Sequence, residues 1–176
     1  MSKYNSSSNF WIELESLFSK GEIENKKIDV VAVSIGPGPF TSVRNAVSVA
    51  RTISQTTGAK IVSFSLIEVV YKNFPFKKPV ILFDGRANKF LVKRPDIETL
   101  ELVGEDEIMQ VLKMEDLIVS IGCRDMVERV GLITLNFDYL PTDMILNLVL
   151  EKTNKSEFSN YLEVLPIYYK EIQTKT

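Results

Sequence analysis

The chain has 176 residues and a formal charge of −2; 45% of its residues are hydrophobic and 25% charged. That balance fits one globular domain or two small lobes, is wrong for a disordered chain, and gives no global attraction to nucleic acid. Histidine is absent and Cys123 is the single cysteine, which excludes Ser-His and Cys-His catalysis, histidine-metal centres and an intrachain disulfide. Nothing resembles a signal peptide, and no apolar run approaches the roughly 20 residues of a spanning helix. A cytoplasmic protein without membrane contact is expected.

In chain order, the polar stretch "MSKYNSSSN" precedes "FWIELESLFSKG", in which Phe10, Leu14 and Leu17, and likewise Trp11, Leu14 and Phe18, recur at helical spacing, with Gly21 placed as a C-cap. "IDVVAVS" (28–34) is a near-continuous apolar run rich in β-branched residues, the pattern of a strand buried on both faces. The loop "IGPGPF" follows, then a helix over 41–55 whose N-cap is expected from Thr41 or a neighbour. "AKIVSF" (59–64) reads as a strand and "SLIEVVYKNF" as a helix with Ser65 and Glu68 in capping-box spacing. "PVILFDG" (79–85) is a third strand, and "NKFLVKR" and "TLELVG" are shorter ones joined by a tight Pro95-Asp96 turn. Helix and strand then alternate through "EDEIMQVLK", "DLIVSIG", "RDMVERV", "LITLNF" and "TDMILNLVLEK". The alternation predicts an α/β fold with substantial parallel pairing. A change of pattern near residue 85 divides the chain into 1–85 and 86–176. Because a helix comes first, the first strand in sequence is expected to be internal to its sheet.

"SIGPGPFTSVRNAVSVA" resembles the signature of the TsaB (YeaZ) family, whose usual form is G-x-GPGSFTGLRIG. "VILFDGRANKFLVKR" is similar to that family's I-D-A-R strand and the strand after it, and "LEVLPIYYK" to its closing P-x-Y-x-R. The matching positions are Gly36, Pro37, Gly38, Phe40, Thr41 and Arg44, then Asp84 and Arg86, then Pro166 and Tyr168. Pro39 stands for the family serine, Ser42 for a glycine, Asn45-Ala46 for Ile-Gly, and Lys170 for the final arginine. The resemblance implies an actin-like (ribonuclease H-like) fold: a partial lobe over 1–85, carrying the GPGPFT turn, then a smaller α/β lobe with a C-terminal tail over 86–176. Family members usually place a strand and a hairpin before the first helix. This sequence starts at that helix, so the superfamily's first phosphate-binding loop is expected to be absent.

Glycine loops between a strand and a helix often hold phosphate, but Pro37 and Pro39 fix φ and remove two N–H donors, and no Walker lysine follows. A rigid strand-to-helix turn is expected. On the next helix Val43, Ala46, Val47, Ala50 and Ile53 form a core stripe, Ser42, Ala46 and Ala50 a line of small side chains, and Arg44, Ser48, Arg51 and Gln55 a polar stripe. Phe10, Trp11 and Ile12 are consecutive, so they splay around their helix, and part of the cluster is expected at an interface, where aromatic anchors are favoured. The resemblance implies docking of TsaD, or of a second copy, on the first two helices. Phe10, Trp11, Leu14, Phe18, Ser42, Arg44, Asn45, Ala46, Val49 and Ala50 are the candidate contacts.

Asp84, at the end of a buried strand, suits a catalytic carboxylate, but no second carboxylate or metal-ligand partner sits near it in sequence, and pairing with Arg86 or another base is expected instead. Cys123 lies near a helix start, which lowers a thiol pKa, yet no histidine is present to act as its base. No cofactor or metal site is expected. The resemblance implies a non-catalytic subunit that stabilises a TsaD-like enzyme during threonylcarbamoyl transfer to the adenosine beside the tRNA anticodon. A TsaE-like ATPase is a further implied partner, and tRNA is touched only indirectly. A metal-free hydrolase or a simple ATP-binding module are the alternatives.

Overall fold

The computed structural model describes residues 8–20, 28–113 and 115–167. Its elements are α1 (Ser8–Lys20), β1 (Val30–Ser34), α2 (Phe40–Thr57), β2 (Lys60–Phe64), α3 (Leu66–Asn73), β3 (Val80–Asp84), β4 (Lys89–Lys93), β5 (Glu101–Gly104), α4 (Ile108–Val111), β6 (Ile118–Ile121), α5 (Arg124–Arg129), β7 (Leu135–Phe137) and α6 (Thr142–Asn154). β1 and β2 pair in parallel, with Val30 opposite Lys60 and Ser34 opposite Phe64. The remaining strands form a five-stranded sheet in the order β5-β4-β3-β6-β7. β3, β4 and β5 are an antiparallel meander, and β6 and β7 continue parallel to β3.

Successive side chains on a strand point to opposite faces, and the apolar runs use this to build a layered molecule. On β3, Val80 and Leu82 face a core with Ile118, Met126, Val127 and Ile108, closed by α4 and α5. Ile81 and Phe83 face the opposite way, into a core shared with Val62, Phe64, Val70, Leu148 and Val149. That second core joins β2, α3 and α6 to the large sheet. A third cluster of Val33, Val47, Ala50, Ile61 and Val164 holds α2 against β1 and β2. Residue 85 falls in the turn between β3 and β4, which lie in one sheet. The sheets themselves divide between β2 and β3, and the larger one belongs to the later part of the chain.

Local chemistry sets the helix ends. The N-cap of α2 is Pro39, whose carbonyl accepts from the Val43 N–H at 3.0 Å, with no side-chain cap. Thr41, expected at or next to the cap, sits inside the helix. Proline already has the φ a helix start needs, and its missing N–H would have no partner there. At the other end Gly58, at φ 78°, donates to the Ser54 carbonyl. α3 carries the expected capping box: Ser65 N–H donates to Glu68 Oε2 at 2.6 Å, and Glu68 N–H to Ser65 Oγ at 3.0 Å. Lys152 of α6 reaches the other Glu68 oxygen at 2.6 Å. Partial burial works to raise the Glu68 pKa, but Lys152 and the Ser65 donors overcome it and hold the carboxyl below its ordinary value.

Two expectations are revised. The helix read over 105–113 is only the four residues of α4, because Glu105 to Glu107 form a turn in which Glu107 N–H donates to the Gly104 carbonyl. Among the described residues β1 pairs with β2 alone, so it is an edge strand and not an internal one. The other edge of β2 is occupied: Ser159 N–H donates to the Ile61 carbonyl, and the Ser63 and Ser159 hydroxyls meet at 2.7 Å. The expected cap at Gly21 lies outside the described residues.

A candidate cleft at the carboxyl ends of the strands

β1, β3, β6 and β7 all end at one crevice, the place where open α/β sheets bind ligands. A cavity of about 560 Å³ lies there between the two sheets, lined by Pro37 to Phe40, by Phe83 to Arg86, by Ile121 and Gly122, and by Pro166 and Ile167. Three stretches widely separated in sequence therefore meet: the GPGPF corner, the DGR turn and the proline near the C-terminus. Ile167 N–H donates to the Ile35 carbonyl at 2.8 Å, which fixes the last of them beside the first. Tyr168 lies outside the described residues.

At the corner after β1, Gly36 takes φ 105° and donates its N–H to Ser34 Oγ at 3.3 Å; the Gly36–Pro37 bond is cis. Gly36 and Pro37 are buried, whereas Gly38, Pro39, Phe40 and Thr41 are exposed. In the opposing turn, Asp84 Oδ1 accepts from the Arg86 N–H at 2.7 Å, so Asp84 pairs with the backbone of Arg86 and not its guanidinium. Arg86, Ala87 and Asn88 follow at φ 65°, 50° and 58°, three consecutive left-handed residues at about 1–2 kcal/mol each. Gly85 makes the turn possible: a Cβ there would lie 2.6 Å from Leu102 Cδ1 and 2.7 Å from the Lys89 carbonyl.

The cleft is apolar beside Phe40, Val43, Leu66 and Leu102 and polar where it opens onto a second cavity of about 840 Å³ bordered by Arg86, Arg124, Asp125 and Asp138. The charges there are matched, since Arg124 Nε meets Asp138 Oδ1 at 3.1 Å and Arg129 pairs with Glu105. Cys123 is buried and its thiol donates to the Leu82 carbonyl at 3.6 Å. Burial, then the nearby Asp84 charge, push the thiol up to about 11, opposite to the depression a thiolate nucleophile needs. Among the described residues no group of three Asp, Glu or Cys side chains is placed to hold a metal ion.

The candidate contact residues fall on two helices. On α1, Leu14 and Phe18 are half-buried and Ile12 is exposed, while the side chains of Phe10 and Trp11 lie outside the described residues. On α2, Ala50 is buried with Val47 in the molecule's own core, Ser42, Asn45, Ala46 and Val49 are half-buried, and Arg44 is exposed with its guanidinium 5.8 Å from the Phe40 ring centre. Sequence reasoning misses Asp138, Tyr139 and Gly122, which line the cleft from beyond β7 and β6. Their signal is positional: they follow the ends of parallel strands.

A family model described as "TsaD: tRNA N6-adenosine threonylcarbamoyltransferase" matches residues 2–134. Two solved structures share the fold. One is YeaZ from Pseudomonas aeruginosa, at 14% identity and TM-score 0.65, covering 94% of this chain and 85% of that one. The other is described as an uncharacterized protein with similarity to peptidase YEAZ from Pseudomonas aeruginosa, at 14% identity and TM-score 0.64, covering 93% and 84%. No curated protein matches the sequence. No helix among the described residues is long and apolar enough to cross a membrane. The chain belongs to the TsaD family that this model describes, and within the actin-like ATPase superfamily it has the fold of YeaZ (TsaB).

Proposed function

We propose that this chain is an accessory subunit of the tRNA threonylcarbamoyladenosine system. In this role it binds and stabilises a TsaD-like catalytic subunit and does no chemistry itself. Family membership supplies the system, and the two faces of α2 carry the subunit reading. One face is committed to the protein's own core through Val47, Ala50 and Ser54. The other presents Arg44 and Ser48 to solvent, with Ser42, Asn45, Ala46 and Val49 between the two. Small residues along a helix let a second helix approach closely, by sterics that hold in water as in membranes. Together with Leu14 and Phe18 of α1, and with Phe10 and Trp11, this is the docking face; the same face serves a homodimer when the chain is alone. A TsaE-like ATPase joins through the catalytic subunit, and tRNA is contacted only indirectly.

The test is co-expression with the TsaD-like subunit of the same organism, followed by sedimentation. A stoichiometric complex is expected at micromolar concentration, weakened at least about tenfold by Arg44→Glu, and its absence overturns the proposal.

The nucleotide reading has one observation in its favour, the cavity beside the GPGPF corner. Against it, the corner contributes two prolines where a phosphate cradle needs N–H donors. Calorimetry with ATP and magnesium decides, and heat of binding at submillimolar nucleotide would establish that reading. The hydrolase reading has Asp84 or Cys123 to do its chemistry; Asp84 Oδ1 is engaged by the Arg86 N–H, and the raised Cys123 thiol pKa argues against a thiolate nucleophile. Alkylation of Cys123 by iodoacetamide at about pH 8, close to the pKa of a free thiol, is expected to be far slower than that of a small-molecule thiol. Rapid alkylation would restore the enzyme reading.

A further inference from the structure

The charges on α2 run against the pattern of the helices around it. α3, α5 and α6 each carry an acid in the first turn and a base in the last: Glu68 and Lys72, Asp125 and Arg129, Asp143 and Lys152. That order suits the helix dipole, whose positive end is the N-terminus. α2 has no acid in its first turn and no base in its last, and its only charged residues are Arg44 and Arg51. The charge closest to its positive end is therefore a cation, which the dipole disfavours. The arginines do not serve the helix that carries them.

The rest of the protein does not neutralise them either. Arg94, Arg124 and Arg129 meet Glu101, Asp138 and Glu105, whereas Arg44 and Arg51 form no ion pair among the described residues. Seven residues are close to two helical turns, so both arginines leave one side of α2, roughly 10 Å apart along its axis. Arg44 is exposed, Arg51 is half-buried, and the small, exposed Ser48 lies between them. The packing of Val47 and Ala50 into the core fixes the helix that presents the pair.

We propose that this side of α2 receives a helix of the TsaD-like subunit that carries two acidic side chains seven residues apart. One carboxylate then meets Arg44 and the other Arg51, in the two-point geometry that a guanidinium offers a carboxylate. The proposal rests on the reading that α2 docks that subunit, and adds the chemistry of what α2 meets there. A second copy of the chain does not supply the acidic pair. None of the described helices carries two acids seven apart, and Glu13 and Glu15 of α1, two residues apart, project to different sides.

Calorimetric titration of the full chain with the TsaD-like subunit of the same organism, at about 50 and 300 mM NaCl, supplies the test. Affinity is expected to fall at least about tenfold on Arg51→Glu, and about a hundredfold when Arg44→Glu is added. Binding of the wild type is expected to weaken with salt, and that of the double variant to lose this dependence. Arg44→Lys with Arg51→Lys keeps both charges and is expected to bind within about fivefold of the wild type. In the free chain, Arg44→Glu is expected to leave the Tm unchanged or raised, since an acid suits that end of the helix.

A complex indifferent to salt and to both charge reversals overturns this assignment and leaves the docking reading standing. Absence of any complex at micromolar concentration overturns both. A Tm lowered by Arg44→Glu would assign Arg44 to the protein's own fold, and overturns the proposal. So does a dimer of the free chain that Arg44→Glu with Arg51→Glu dissociates while the complex is unaltered, which would assign the arginines to a second copy.

Discussion

The corners that follow β1 and β6 occupy equivalent places and are built in opposite ways. After β6 the chain turns at Gly122 directly into Cys123, and the six-residue α5 lies under the sheet with Met126 and Val127 buried. After β1 it passes through Gly36, Pro37, Gly38 and Pro39 into an 18-residue helix whose first residue, Phe40, is 52% exposed. β6 has neighbours on both edges and a core on each face, of which the short α5 closes only part. Among the described residues β1 has one strand neighbour, and Val47 and Ala50 of α2 pack on Val33 and Ile61 beside it. Stability is expected to fall from the β6–β7 pair to the β1–β2 pair.

The sharpest way to break this comparison is to make one change in the middle of both strands. Val119→Lys places an unpaired charge between β3 and β7, at a site with no exposed surface, and is expected to cost on the order of 3–5 kcal/mol in urea unfolding. Gly85→Ala forces a Cβ onto Leu102 and the Lys89 carbonyl and is expected to cost about 2–3 kcal/mol, read as a lowered Tm; a neutral result would mean that the DGR turn is not the rigid wall of the cleft. Ser65→Ala removes the N-cap of α3 and is expected to cost about 1 kcal/mol. Glu68 provides a pH test of the same corner. Its folded pKa lies below its ordinary 4.5, so its stabilisation is present above that value and disappears as the pH falls through the folded value. Glu68→Gln is expected to flatten the stability profile over that acid range and, near neutral pH, to remove little beyond a partly exposed ion pair. The smallest effect is expected from Ala32→Lys on β1, where the side chain is exposed, within about 0.5 kcal/mol. A loss near that of Val119→Lys would mean that β1 is not an edge.

How much of this is legible in the sequence depends on whether the cause is local. The β-branched runs of β1, β2, β3 and β6 and the Ser65–Glu68 box are local, and each reads within a residue or two of its observed bounds. The N-cap of α2 escapes because serine and threonine dominate caps by side-chain bonding, whereas Pro39 works through its carbonyl and fixed φ alone. α4 reads too long because its acidic lead-in suits a helix start, and only the Gly104 carbonyl shows that those residues turn instead. At the cleft, Asp84 and the GPGPF corner stand out as motifs. Asp138 and Tyr139 sit in an ordinary "NFDYLP" stretch, and only the parallel pairing of β7 with β6 carries them to the same opening.

The bonds at the outer edge and end of the β1–β2 pair have a consequence for synthesis. Ser63 meets Ser159 across 96 residues of sequence, and Ile35 meets Ile167 across a greater span. A ribosome releases β1, α2 and β2 long before these partners, whereas β3, β4 and β5 follow one another closely along the chain. Contacts of wide sequence separation form late. The β3–β5 meander thus has its own partners while translation continues, and the part of the protein made first is the part completed last.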